Sequence, residues 1–185
     1  TGSIQAVKGA ISCGKHLMKH GRVMKSGGMG WPSVLDGSVL TGYSHGTGGT
    51  AAALSSLNYW TENKAILPYI SKALEYERTF YDEKEKNWRT PGRDTSSYAW
   101  CHGAPGILLS RLRLKENGWT DPLLDREIEV ALETTLHKGF GNNRSYCHGD
   151  FGQLEILLYA KQVLQDRELD VYIESVRSQL LEIVK

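Results

Sequence analysis

The pattern His-Gly-x-x-Gly occurs three times in this chain of 185 residues. The copies begin at His45, His102 and His148, so successive copies are 57 and 46 residues apart. Self-similarity at roughly 40–50 residues is typical of repeat architectures, in which each repeat is one supersecondary unit. The chain is rich in glycine, with 20 residues of this type, and the three copies predict that many of them form repeated turns.

A stretch rich in leucine and alanine follows each copy and is predicted to form a buried helix. These stretches begin after Gly49, Gly106 and Gly152 and show no alternation of apolar and polar residues. Apolar runs of this length without a period of two favour helices over strands. The preceding glycines permit a tight turn with positive φ, so each histidine is predicted to lie just ahead of a helix N-terminus.

An amphipathic helix is predicted after each buried one, and another near the start of the chain. Thr61 is predicted to be the N-cap of the helix over 61–82. For the helix over 121–138, Asp121 is predicted to be the cap, Pro122 the first helical residue and Gly139 the end. No convincing hairpin is found. An all-α fold of inner and outer helix pairs follows, either an open solenoid or a closed α/α toroid. The amphipathic helices are predicted over residues 4–20, 61–82, 121–138 and 168–184.

The residue before the histidine is Ser44 in the first copy and Cys101 and Cys147 in the others. Equivalent loops of a closed ring converge at one end of its axis, so we expect Cys101, Cys147 and His148 to lie together. Three nitrogen and sulfur ligands with one open position are the pattern of a catalytic zinc site. Cys13 lies outside the motifs and is predicted to be an ordinary buried cysteine.

Charge, hydropathy and cysteine content exclude several classes of protein. The net charge is +1 and basic residues do not cluster, which argues against a nucleic-acid partner. No run of 18 apolar residues is present, so no membrane span is expected. The odd number of three cysteines disfavours a disulfide framework and favours a reducing compartment, here the cytoplasm. The start of the chain lacks a methionine, and we expect a piece of a longer protein.

The motif sequences resemble those of lanthionine synthetase C-like cyclases. Residues Trp100–Ile107 and Tyr146–Gly149 look like the zinc motifs of this family, and Gly42–Gly46 looks like its earlier His-Gly motif. The stretch Tyr76–Arg89 is similar to the linker before the zinc motif in class II lanthipeptide synthetases, the LanM type. The resemblance covers roughly residues 10–165.

This resemblance implies an α/α toroid with zinc at one mouth. It implies zinc ligands at Cys101, Cys147 and His148, and an acid/base residue at His45. His102 falls where the family carries an aromatic residue or histidine near the site, so either chemistry or a structural role is open to it. The whole chain, residues 1–185, is then a partial cyclase domain of about seven helices.

The implied reaction adds a cysteine thiol of a dehydrated precursor peptide to dehydroalanine or dehydrobutyrine, forming a lanthionine or methyllanthionine ring. A free thiol has a pKa near 8.5 and loses its proton on binding Zn²⁺. The enolate formed by the addition must then be protonated at carbon. A histidine with a pKa near 6.5 can take up the first proton and deliver the second, and His45 is the candidate.

The chain is shorter than the family's cyclase domain, and too short for its helices to close a ring. No residue matches the acid that the family carries upstream of the first motif, although Asp36 is nearby in sequence. The flanks are expected to expose apolar surface, and self-association of two copies would cover this surface. Whether these residues catalyse the reaction alone stays open.

Three other functions compete with the cyclase. A thiol- or glutathione-binding member of the same family would share its fold and zinc site. A structural zinc site would need a fourth protein ligand, which His102 or His45 could supply. Prenyltransferases also activate thiols with zinc on an α/α toroid, but their ligand motifs differ.

Overall fold

The structure is a computed structural model that describes residues 3–34, 36–93 and 95–182. These residues form seven α-helices and two short antiparallel hairpins, which confirms the predicted all-α class. The helices are α1 (Ile4–His20), α2 (Thr47–Thr61), α3 (Leu67–Arg78), α4 (Gly103–Glu116), α5 (Leu124–Lys138), α6 (Asp150–Leu164) and α7 (Leu169–Glu182). The hairpins pair β1 (Arg22–Val23) with β2 (Met29–Gly30) and β3 (Tyr81–Asp82) with β4 (Asn87–Trp88).

The three helices that follow the motifs form the inner layer. Helix α4 lies at the centre, packs against α2, α5 and α6, and buries its side chains on all sides from Ile107 to Leu112. The outer helices α3, α5 and α7 bury one face each, as their amphipathic sequences require. Representative buried residues of these outer faces are Ile70, Leu74, Ile128, Ala131, Ile173 and Val176.

The predicted helix over 61–82 is wrong at both ends. Thr61 is the last residue of α2, and its hydroxyl donates a hydrogen bond to the Leu57 carbonyl at 2.7 Å instead of capping a helix. Glu62 then adopts a left-handed conformation with φ of 50°, which ends α2. After a 3₁₀ turn, α3 begins at Leu67 with Pro68 in its first turn. Proline is tolerated there because N–H groups of the first turn have no acceptor within the helix.

The absence of hairpins was also predicted wrongly. Each strand has only two residues, so neither produces the alternation by which a strand is recognised in sequence. The β3–β4 turn is formed by the Asp82 carboxylate, which accepts hydrogen bonds from the backbone N–H groups of Lys84 and Glu85. Lys86 completes the turn with a φ of 51°.

The start of α5 differs slightly from its prediction. The Asp121 carboxylate accepts a hydrogen bond from the Leu123 backbone N–H at 2.9 Å, and the helix itself begins at Leu124. Pro122 therefore precedes the helix instead of occupying its first position. Gly139 is the C-cap, as predicted.

Helix α1 lies at one flank of the helical layers and contacts α2. Its residues Ile4 and Val7 are exposed, as is Trp60 at the end of α2, which confirms the expected apolar flank. Cys13 is exposed and not buried, because it faces the open groove between α1 and α2, which Val7 and Trp60 also line. None of the described helices is both long enough and apolar enough to cross a membrane.

Candidate metal centre

The three His-Gly-x-x-Gly turns share one close backbone approach. The last glycine of each copy lies against the carbonyl oxygen of the residue six positions earlier, where a Cβ would collide or press tightly. Only glycine fits such an approach, so each turn holds its histidine just ahead of an inner helix, as predicted. The pairs are Gly49 against Tyr43, Gly106 against Trp100, and Gly152 against Tyr146.

The first turn is bonded directly to the second. The backbone N–H groups of Tyr43 and Ser44 both donate to the Cys101 carbonyl, at 3.0 and 3.3 Å. Gly42, with a φ of 95°, lies so close to Cys101 and His102 that a side chain there would collide with them. The loop that carries His45 is therefore fixed to the loop that carries the first cysteine of the predicted site.

Cys101, Cys147 and His148 come together as one group. Their Sγ, Sγ and imidazole nitrogen atoms all lie within 4.8 Å of one another, and Cys101 Sγ is 3.5 Å from His148 Nε2. Cys101 is buried, Cys147 is half-buried and His148 is exposed. The group therefore opens to solvent on the His148 side, although its two cysteines are separated by 46 residues in sequence.

The donor set of this group fits a zinc ion. Burial raises the pKa of the Cys101 thiol to about 12, and the hydrogen bond and charge repulsion from Cys147 act in the same direction. A bound cation would offset the repulsion between the two thiolates and would favour release of their protons. Two thiolates with an imidazole nitrogen are a soft set typical of zinc. Among the described residues no fourth Cys, His, Asp or Glu belongs to the group.

His45 and His102 lie beside each other next to this group. Their ring centroids are 5.7 Å apart. His102 is buried, with 4% of its surface exposed, and its Nδ1 lies 3.2 Å from the Thr41 carbonyl oxygen. Burial lowers the pKa of His102, an effect that the nearby Arg93 strengthens. His102 is thus a packed ring whose burial favours the neutral form, whereas His45 is exposed to solvent.

A cavity of about 550 Å³ adjoins His45. Its wall includes the aromatic rings of Trp31, Tyr43 and Trp100. Trp31 is fixed by a hydrogen bond from its indole Nε1 to the Leu17 carbonyl at 2.7 Å. The cavity thus gives a ligand of peptide size access to His45 alongside apolar surface.

A buried ion-pair network behind the site was not predicted from the sequence. The Arg111 guanidinium is fully buried and donates to Glu77 at 2.8 Å and to Glu127 at 2.9 Å. Arg78 extends the network by binding Glu127 and Asp121, each at 2.7 Å. The sequence contains one sign of this network. Arg111 lies within an otherwise apolar stretch of an inner helix, where a buried arginine requires charged partners.

Comparison with known proteins places the chain in a family. The family model of lanthionine synthetase C-like proteins matches residues 3–184, and the chain belongs to this family. The nisin biosynthesis protein NisC of Lactococcus lactis subsp. lactis is 29% identical over 147 residues, which cover 73% of this chain and 32% of that protein.

A solved structure of a nisin cyclase matches with a TM-score of 0.67 and 26% identity, over 80% of this chain and 41% of that chain. The chain therefore spans about a third of the curated relative and two fifths of the solved structure. The likeness confirms the predicted fold, a part of an α/α toroid. The resemblance of Tyr76–Arg89 to the LanM type stays a prediction.

Proposed function

We infer that the chain is the metal-binding part of a cyclase that forms lanthionine and methyllanthionine rings in a dehydrated precursor peptide. One observation carries this inference: two cysteines and a histidine from separate repeats place their ligand atoms within 4.8 Å of one another. The nisin cyclase relatives support the same reaction class.

Zinc is the metal that this donor set fits. Cys101, Cys147 and His148 would hold Zn²⁺. As a Lewis acid, the ion would lower the pKa of an incoming peptide thiol. The solvent-exposed position of His148 leaves one side of the group open to the substrate. Three protein ligands with an open fourth position distinguish a catalytic zinc site from a structural one.

His45 is the proposed acid/base residue. The addition forms a C–S bond at the β-carbon of dehydroalanine or dehydrobutyrine, and the α-carbon must gain one proton. The His45 imidazole, exposed on a loop that is bonded to Cys101, can accept the thiol proton and deliver one to carbon. His102 is too buried to exchange protons freely with solvent, so we assign it the role of packing against the His45 ring.

A second candidate is a thiol-binding module of the same family. The same open position would accept a small thiol such as glutathione, and this chain spans only about a third of the curated relative. A purely structural zinc site is less well supported, because neither His45 nor His102 belongs to the ligand group among the described residues.

Free thiols at such a centre require a reducing compartment, so we propose that the protein works in the cytoplasm. The exposed apolar flank at Val7 and Trp60 is the surface through which self-association is proposed. Light scattering at increasing protein concentration tests that part, and a strictly monomeric protein would contradict it.

The experiment that separates cyclase from thiol binder uses a dehydrated peptide with one cysteine. Ring closure conserves mass, so the product is recognised by its loss of reaction with a thiol-alkylating reagent. A cyclase converts the peptide to a form that no longer alkylates, in a zinc-dependent manner. A thiol-binding module retains glutathione but leaves the peptide cysteine fully alkylatable, which would refute the cyclase.

A further inference from the structure

An aromatic residue stands two positions before the histidine in all three copies of the motif. These residues are Tyr43, Trp100 and Tyr146. Each is also the residue whose carbonyl lies against the last glycine of its own turn, so the three side chains leave equivalent points of the three repeats. The repeat geometry therefore places the three aromatic side chains at corresponding positions in space.

The three rings form one continuous row, which we call the aromatic row. The centroids of Tyr43 and Trp100 are 5.3 Å apart, with ring planes at 77°. The centroids of Trp100 and Tyr146 are 5.6 Å apart, with planes at 48°. Both contacts lie in the range of favourable aromatic pairs.

The aromatic row lies along the candidate metal centre. Trp100 directly precedes Cys101, and Tyr146 directly precedes Cys147. At its other end, Tyr43 and Trp100 line the cavity of about 550 Å³ that contains His45. A peptide that enters this cavity to reach His45 therefore contacts Tyr43 and Trp100, at one end of the aromatic row.

The row is accessible and held in place. Tyr146 is 51% exposed, and Tyr43 and Trp100 are half-buried. The Glu155 carboxylate accepts hydrogen bonds from the Trp100 indole at 3.1 Å and from the Tyr146 hydroxyl. Rings fixed in this way offer apolar contact area at a low cost in conformational entropy.

Resting on the proposed function, we propose that the aromatic row of Tyr43, Trp100 and Tyr146 binds an apolar or aromatic side chain next to the reacting cysteine of the precursor peptide. Ring faces gain free energy by covering apolar surface. The exposed Glu155 carboxylate carries a negative charge at the same place and repels an acidic side chain. The row thereby selects the residue that flanks the ring-forming cysteine.

The test measures binding of three dehydrated peptides that differ only in the residue beside the cysteine, which is leucine, phenylalanine or aspartate. Isothermal calorimetry should show about ten-fold tighter binding of the first two, the effect of burying one apolar side chain. The preference should persist without zinc, because the row is formed by the chain itself. Equal affinities for all three peptides would overturn the proposal.

Amino-acid substitutions test whether the aromatic row causes the preference for an apolar residue beside the cysteine. Tyr146→Ala should remove most of the preference, Tyr146→Phe should retain it because the ring stays, and Tyr59→Ala is the control at another exposed tyrosine. Glu155→Gln should improve binding of the aspartate peptide relative to the leucine peptide, because the amide oxygen can still accept from Trp100 and Tyr146 but carries no negative charge. Unchanged preferences in both Tyr146→Ala and Glu155→Gln would contradict the proposal, and the second variant remains informative if the first does not fold.

These outcomes are separable from the proposed function. If the wild-type chain closes rings at equal rates in all three peptides, the row proposal fails and the cyclase stands. If the chain prefers apolar neighbours but never closes a ring, the row stands and the cyclase fails.

Discussion

The Glu77 carboxylate accepts a hydrogen bond from the backbone N–H of Gly42 at 2.9 Å. Its second oxygen accepts a bond from Arg111 at 2.8 Å. Glu77 lies on α3 and Arg111 on α4, and both side chains are fully buried. This carboxylate thus connects the ion-pair network of the core to the loop that carries His45, three residues beyond Gly42. The acid/base candidate is held in place from the interior of the protein.

Replacing Arg111 by methionine should destabilise the fold strongly. The variant leaves Glu77 buried without its cation, and breaking a buried pair in this way costs about 3–5 kcal/mol. Urea unfolding followed by circular dichroism measures the loss. Arg126→Met is the matched control, because Arg126 pairs with Glu129 where both side chains are exposed and such pairs contribute little to stability. Equal losses in the two variants would contradict the structural role of the network.

Stability should fall in acid through the carboxylates that bind Arg78. Burial tends to raise the pKa of Asp121, but hydrogen bonds from Arg78 and Leu123 outweigh it and hold the pKa below its ordinary value. A carboxylate with a depressed folded-state pKa stabilises the protein above its unfolded pKa, near 3.9, and this stabilisation is lost as the pH falls through the folded value. The pKa of Glu127 is lowered as well, by Arg111 and Arg78 against the effect of burial.

Unfolding in urea between pH 7 and pH 3 measures this dependence. Asp121→Asn should lower stability at pH 7 and flatten its decline at low pH. Asp125→Asn is the control on the neighbouring turn, where the carboxylate is 81% exposed in its pair with Lys115. An acid decline of the same slope in Asp121→Asn and wild type would contradict the assignment.

Gly152→Ala should disturb the turn that presents Cys147 and His148. A Cβ at this position collides with the Tyr146 carbonyl oxygen, and overpacking of this kind costs about 1–3 kcal/mol. We expect lower stability and weaker zinc binding in a competitive titration with a chelator. Gly9→Ala provides the control, since a Cβ there meets nothing within 4 Å. In the middle of α1 this substitution should raise stability by roughly 0.5–1 kcal/mol.

His45→Asn should leave zinc bound while reducing ring formation. His45 stands outside the ligand group among the described residues, so the metal content should match that of the wild type. General acid/base groups contribute about 10²–10⁴-fold to rate, and a loss in that range is expected in the alkylation assay. A variant that loses zinc as completely as Cys147→Ala would identify His45 as a ligand and refute its assigned role.

Most of the helical fold could be predicted from the repeat motifs. Three glycine turns in register predicted the inner helices α2, α4 and α6, because each turn needs the same close backbone approach at Gly49, Gly106 and Gly152. The start of α3 was beyond such reasoning. Glu62 ends α2 in a left-handed conformation with a φ of 50°, which residues other than glycine rarely adopt, so local preference does not predict this end.

The proximity of Cys101, Cys147 and His148 was predictable for a related reason. Cys101 and Cys147 occupy the same repeat position, so convergence of the loops was enough to bring them together. The burial of Cys13 was predicted from the general habit of cysteine and proved wrong, since burial depends on neighbouring helices. The Glu77–Arg111 pair joins residues 34 positions apart, and no periodicity connects them.

The most direct test of the metal centre is the zinc content of the purified chain and of two cysteine variants. The wild type and Cys13→Ala should each carry about one zinc ion, since Cys13 is exposed on α1 far from the motifs. Cys147→Ala should lose tight binding, because it removes one of the three proposed ligands. Wild-type zinc well below one ion per chain, with Cys101 and Cys147 freely alkylated, would contradict the metal site.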